Sequence, residues 1–325
     1  MRTRKVLLLD TASLYFRAFY GVPDSLRSPD GLPVNAVRGL LDFVARLVDT
    51  YEPTHVVCCW DNDWRPAWRV ALLPSYKAHR VAGSPEAPAG ATSVISEMAS
   101  SSDTKGESAP DDLAVQVPWI RETLRALGIA VVGHDGYEAD DVIGTLATTL
   151  PMPVDVVTGD RDLFQVVDDA REVRVLYIAR GVGRHEQVDD AWVRERYAVP
   201  ASAYVDFATM RGDASDGLPG VPGIGDKTAA SLIASYGDLA GILAAASAPD
   251  TRISAAVRAR LHAAIDYLAV APEVVAVARD LDLGVSEDDL LLPQEPADPE
   301  LFAALTERLG LGTSATRVLA AMARP

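Results

Sequence analysis

Short apolar runs rich in Val, Ile and Leu recur along the first 200 residues, at 6–9, 55–60, 129–132, 154–157 and 173–178. Their length and composition predict strands buried on both faces. Between most of them, apolar positions return with helical spacing, over 34–50, 113–127 and 138–150. Strands alternating with helices predict a parallel sheet covered on both sides. From residue 201 the pattern changes. Alanine-rich helical segments follow one another at 201–210, 227–236, 253–268 and 298–309, with no convincing strand. The organisation read from this is an α/β domain over 1–200 and a helical domain over 201–325. A turn-rich stretch at 212–225 stands near the start of the second. Residues 83–110 fit neither pattern: they are dense in Ser, Ala, Gly and Pro, and read as a mobile insertion. No internal repeat is present.

Composition changes this picture little. The 325 residues are 49% hydrophobic and 23% charged, which excludes a mainly disordered chain, a collagen or a coiled coil. Charge changes it more. With 30 Lys and Arg against 46 Asp and Glu, the net charge of −16 argues against non-specific wrapping of nucleic acid and against anionic membranes. A local basic patch remains compatible with DNA. Cys58 and Cys59 are adjacent, so on a strand they face opposite ways and a disulfide between them is not expected. With no signal peptide and no uncharged apolar stretch of about 18 residues, a soluble cytoplasmic protein is expected.

The acids are not spread evenly. KVLLLD ends at Asp10 and HVVCCWD at Asp61; VDVVTGDRD places Asp160 and Asp162 just past its strand. The third strand leads into GYEADD, which puts Glu138, Asp140 and Asp141 in the first turn of a helix. Ligands of open parallel sheets bind at the carboxyl ends of the strands, so these seven carboxylates are expected on one rim, with no Lys or Arg among them. Singly, each reads as a turn residue or helix cap. Together, like charges so close cannot all stay ionised unaided. Divalent cations remove that difficulty, and carboxylate oxygens suit Mg²⁺ or Mn²⁺. Two ions would clamp both oxygens of a phosphoryl displacement. Asp213 and Asp216 follow in RGDASDGLPG, where turn formation alone accounts for them.

PGVPGIGDKT, at 219–228, opens a helix with Gly220, Gly223 and Gly225, followed by Lys227 and Thr228. Glycines let backbone N–H groups approach an anion, and a helix N-terminus favours it. Helices on both sides argue against a dinucleotide site, which follows a strand. A hairpin gripping duplex phosphates is the better reading. Arg69, Lys77 and Arg80 flank Tyr76 in WRVALLPSYKAHR. Such a run is commonly a solvated helix face; with an aromatic, it also suits a single strand held by charge and stacking.

Taken in order, VLLLD, VVCCWD, YKAHR, GYEADD, TGDRDLFQVV and GDASDGLPGVPGIGDKTAA resemble the structure-specific 5′ nucleases, the flap endonucleases and the 5′ nuclease domain of bacterial DNA polymerase I. The resemblance runs from residue 5 to about 310. It implies a PIN-like parallel-sheet nuclease core followed by a helix-three-turn-helix DNA-binding domain, the latter motif at about 212–236. It implies metal ligands at Asp10, Asp61, Glu138, Asp140, Asp141, Asp160, Asp162, Asp213 and Asp216, for two or more Mg²⁺ or Mn²⁺, with a K⁺ at the hairpin. Lys77 and Arg80 would steer and stabilise the scissile phosphate. After the second strand the family has a small and a basic residue where this chain has Asn62 and Asp63; Asp61 is the first choice of ligand and Asp63 the alternative. The insertion at 83–110 falls where the family has its helical arch, and is longer than in bacterial relatives.

The expected activity is metal-dependent 5′-3′ exonuclease and flap endonuclease action by a monomer on branched or nicked duplex DNA with a 5′ end or flap, in replication and repair. A PIN-type ribonuclease would explain the acids but not the hairpin. A non-catalytic DNA-binding protein would explain the hairpin but not the acids.

Overall fold

The chain is described from a computed structural model, which covers residues 3–81, 111–249 and 251–324. The mobile insertion expected at 83–110 lies outside the described residues.

All five apolar runs are strands: β1 (Thr3–Asp10), β2 (Pro53–Trp60), β3 (Ala130–Gly133), β4 (Val154–Thr158) and β5 (Val173–Tyr177). A sixth, β6 (Glu186–Val188), was not foreseen, because three residues carry no periodicity. The sheet order is β3-β2-β1-β4-β5-β6, parallel throughout except for the β5–β6 pair. Leu8 aligns with Val57 on one side and Val156 on the other. The chain therefore leaves β1 in both directions, and the crevice where strand order reverses opens beside β1 and β4.

Alternation along the strands feeds two cores. Val6, Leu8, Val57, Cys59 and Val156 face one; Leu7, Leu9, Val56, Cys58 and Val157 face the other. Cys58 and Cys59 are accordingly buried on opposite faces and unbridged. The helices, in chain order, are α1 (Thr11–Gly21), α2 (Asn35–Tyr51), α3 (Ala67–Leu72), α4 (Asp111–Ala114), α5 (Val117–Leu127), α6 (Ala139–Thr149) and α7 (Asp190–Tyr197). They continue as α8 (Tyr204–Arg211), α9 (Asp226–Tyr236), α10 (Leu239–Ser247), α11 (Ala255–Ala263), α12 (Ile265–Val275), α13 (Pro299–Leu309) and α14 (Gly312–Met322). α6 and the helices from α8 to α12 share the first core, α2, α5, α13 and α14 the second.

Three departures from the sequence reading have physical causes. α1 begins directly after β1 with no loop residues to announce it; Asp10 both ends the strand and caps the helix. The helix expected over 113–127 restarts at Val117, with Pro118 in its first turn, and buried Gln116 turns its side chain to the Ala36 N–H at 2.9 Å. Finally, α13 and α14, expected within the helical domain, return across the molecule: Leu309, Val318 and Met322 are buried in the core that holds Leu7 and Leu41.

Candidate metal centre and nucleic-acid interface

The strand ends deliver acids to one rim. Asp10 accepts from the Ser13 N–H at 3.1 Å, the Ser13 hydroxyl at 2.5 Å and the Thr158 hydroxyl at 2.7 Å, which fixes both carboxylate oxygens. Asp61 follows β2 and accepts from the Ala139 N–H at 2.8 Å. Glu138 precedes α6 in a reciprocal cap with Asp141. Asp160 and Asp162 share the turn after β4, with the Asp162 N–H donating to Asp160 at 2.9 Å. Asp213 caps a short 3₁₀ turn, Ala214–Asp216.

Crowding shows in their proton affinity. Burial and, against the Ala139 hydrogen bond, the charges of Asp10 and Glu138 push Asp61 up to about 6. Burial with the charges of Asp216 and Asp213 pushes Asp160 up to about 6 as well. Asp140 and Asp162 rise well above the usual carboxylate range, through burial first and the neighbouring Asp160 next. The Asp162 Oδ1 atom is buried without a hydrogen-bond partner among the described residues.

The expectation of a rim free of Lys and Arg is corrected. Arg69 donates to Glu138 at 2.6 Å and to both oxygens of Asp141 at 2.7 and 2.8 Å. Lys77 pairs with the other oxygen of Glu138. Arg80 pairs with Asp216 at 2.8 Å, and Lys77 and Arg80 outweigh burial to hold Asp216 below its ordinary value. Asp213 has looser neighbours, Arg161 at 3.4 Å and Arg211 at 3.6 Å. The acids divide accordingly. Among the described residues Asp10, Asp61, Asp140, Asp160 and Asp162 have no ion pair. Asp141 is wholly buried, its oxygens also taken by the N–H groups of Glu138 and Ala278.

Two residues expected to hold a DNA strand do not face one. Arg69 is 2% exposed and Tyr76 5%, the phenol donating to Glu138 at 2.6 Å. Their basic and aromatic groups serve the acids rather than a solvated helix face. Lys77 is also buried, its amino group turned to Glu138, whose charge outweighs burial and keeps it protonated. Arg80 reaches the Ser215 carbonyl as well as Asp216, each at 2.8 Å. The two Asp candidates after β2 differ in surroundings: Asp61 bonds to the start of α6, whereas Asp63 Oδ1 accepts from the Arg65 N–H of its own turn at 3.2 Å.

The glycine hairpin between α8 and α9 is built from unlike glycines. Gly220 has φ +64° and is buried; a Cβ there would sit 2.5 Å from the Arg211 carbonyl oxygen, so this glycine seats the hairpin on the end of α8 rather than facing an anion. Gly223, with φ +81°, is exposed, and its carbonyl accepts from Arg260 at 2.8 Å. Gly225 is exposed with open space around it, directly before α9; Lys227 is exposed and Thr228 half-buried on the first turn.

Sequence reasoning missed Ser13 and Thr158, which fix Asp10, and Arg161 and Arg211, which flank Asp213. It also missed Tyr15, whose hydroxyl is held protonated by burial and by the charges of Asp61 and Asp10. Only Arg161, between two acids in GDRD, carried a readable signal. Among the described residues no three His, Cys, Asp or Glu already form a cage for one ion.

Two family models match adjoining stretches of the chain: "5′-3′ exonuclease, N-terminal resolvase-like domain" over residues 5–198 and "5′-3′ exonuclease, C-terminal SAM fold" over 199–299. A 5′-3′ exonuclease of Streptomyces coelicolor is 57% identical over 313 residues, 96% of this chain and 98% of that protein. DNA polymerase I of Mycobacterium tuberculosis is 37% identical over 291 residues, 88% of this chain but 28% of the polymerase. Among solved structures, a bacteriophage T5 flap endonuclease in a product complex with DNA and metal ions superposes with a TM-score of 0.62, covering 99% of this chain and all of that one, at 15% identity. That likeness is one of fold.

Proposed function

The chain belongs to the 5′-3′ exonuclease and flap endonuclease family and hydrolyses DNA phosphodiester bonds; on that premise we propose that it cuts branched or nicked duplexes at a 5′ end or flap, with Mg²⁺ or Mn²⁺ held at the acid rim. One observation carries this reading: five half-buried or buried carboxylates without ion pairs among the described residues, Asp10, Asp61, Asp140, Asp160 and Asp162, meet at the strand ends beside the strand-order reversal. The donor set is all oxygen, and the orphaned Asp162 Oδ1 is an acceptor awaiting a positive partner, which fits hard divalent cations. Water would complete their coordination. Asp213 would join this set once drawn from its loose arginine contacts, and Glu138 from the place where Arg69 and Lys77 hold it, whereas Asp141 and Asp216 would act from behind it. Bound there, such ions would supply Lewis-acid activation of water and phosphate.

The protein's own groups do the rest. Ser13 and Thr158 hold Asp10 in one orientation. Lys77, protonated and locked by Glu138, offers fixed positive charge from within the rim, and Arg80 is held against the Ala214–Asp216 turn. Preorganised charge of this kind favours the crowded negative charge of phosphoryl displacement. The hairpin at 220–225 would hold duplex phosphates with or without a K⁺, the protein acting as a monomer in the cytoplasm. Labelled flap, nicked duplex and single-stranded RNA, with and without EDTA, test the whole reading; RNA cut as fast as flap, or EDTA without effect, would overturn it.

Two sharper expectations arise from the geometry. Asp61→Ala abolishes cleavage, while Asp63→Ala, which disturbs only a turn, keeps it within about tenfold; steady-state rates on one flap substrate decide between them. The reverse ranking would reassign the ligand. Lys227→Ala removes about one phosphate contact, so the log–log salt slope of flap binding falls by roughly one. Its cleavage recovers at high enzyme concentration, because the rim is untouched. An unchanged slope would leave the stretch an ordinary helix–helix turn.

A further inference from the structure

Arg69 was expected at the DNA and is found inside the protein, and its surroundings give it another task. Every side of its guanidinium is committed. The Nη atoms hold Glu138 at 2.6 Å and Asp141 at 2.7 and 2.8 Å; Nε donates to the Val274 carbonyl at 3.0 Å, and Nη2 to the Ala276 carbonyl at 3.1 Å. Those two carbonyls lie at the C-terminal end of α12, where the last turn leaves acceptors without helical partners and the helix dipole is negative. The rings of Trp68, 4.6 Å from the guanidinium centre, and Tyr76, at 5.9 Å, close the remaining sides. α12 is itself tied to the DNA-facing half: Tyr267 donates to the Thr209 carbonyl on α8 at 2.9 Å, and Arg260, on the preceding α11, holds the Gly223 carbonyl of the hairpin.

We infer that Arg69 is a positioning residue that fastens Glu138 and Asp141 to the end of α12, so that the placement of the hairpin-bearing helices sets the placement of Glu138 at the cation-binding rim. This rests on the metal-dependent reading above. Asp141 is then no ligand but the second hold on the same guanidinium. The planar fork is what the task requires: a lysine has one point of charge and cannot reach two carboxylates and two carbonyls at once.

The test is Arg69→Lys in the full chain, read by calorimetric Mn²⁺ titration without DNA, by flap affinity in EDTA, and by kcat and KM. Groups that orient metal ligands from behind typically cost 10–100-fold in metal affinity or activity when changed. Mn²⁺ affinity is therefore expected to fall at least tenfold and kcat with it, with flap affinity in EDTA within about twofold of wild type. Asp141→Asn, nearly equal in size, breaks the same hold by turning an acceptor into a donor; it stands in if Arg69→Lys does not fold. The double variant is expected to be no worse than the worse single one, since both cut one link. A lowered thermal melt with wild-type Mn²⁺ affinity and kcat would make Arg69 merely structural and overturn the inference. If the wild-type protein binds no Mn²⁺ at all, it is the metal reading that fails instead.

Discussion

Asp160→Ala is expected to lower flap cleavage by far more than 100-fold at any enzyme concentration while flap binding holds or improves. Changes behind the ligands of a metal already cost 10–100-fold, and a ligand stands closer to the chemistry. The side chain is half-buried on the turn after β4, and its carboxylate accepts from the Asp162 N–H. Its charge also opposes those of Asp140, Asp162, Asp213 and Asp216. Removing it relieves that repulsion, so the metal-free protein should melt at a higher temperature than wild type, and added Mg²⁺ should raise the melt by less. Cleavage at the wild-type rate, or a lower metal-free melt, would show that Asp160 is an ordinary turn acid.

Gly217→Ala is expected to damage stability and cleavage together. Gly217 has φ +72°, where any side chain is strained, and a Cβ there would lie 2.0 Å from the Ser75 carbonyl oxygen, a backbone atom that cannot rotate away. The turn carrying Gly217 is docked on the Ser75–Arg80 segment by three bonds: Lys77 N–H to Asp216 carbonyl at 2.9 Å, Ser75 hydroxyl to Gly217 carbonyl at 2.7 Å, and Arg80 to Ser215 carbonyl at 2.8 Å. Strain plus a forced separation costs about 3 kcal/mol or more, read as a fall of several degrees in Tm. Because the displaced segment holds Lys77, kcat should fall at least tenfold even well below the melt. Gly136, also at positive φ but with nothing within 4 Å, provides the control: its alanine variant should lose stability only modestly and keep its activity.

What the sequence revealed, and what it hid, follows from the range of the forces involved. Val, Ile and Leu runs declare buried strands locally, and an acid ending each run is placed by the strand itself, so Asp10, Asp61 and Asp160 were legible at the rim. The fate of a basic residue is not local. Arg69 is buried because Glu138 and Asp141, about 70 positions away, and two carbonyls about 205 positions away, converge on it. No periodicity in WRVALLPSYKAHR distinguishes that from a solvated face. The same blindness made the rim look free of cations. Glycines were legible as a hairpin but not in their division of labour: Gly220 meets the backbone of Arg211, while Gly225 faces open space, and only the fold separates the two.

The return of α14 onto α2 also bears on how the molecule is made. Leu40 and Leu41 leave the ribosome early, yet Val318 and Met322, buried in the same core, follow ~280 residues later. At bacterial rates of roughly 5–20 residues per second, that is a wait of tens of seconds. During synthesis the side of α2 that α14 covers therefore stays open to water, and domain-by-domain folding cannot close this core. Such a chain is a natural client for holding chaperones until its last helices arrive.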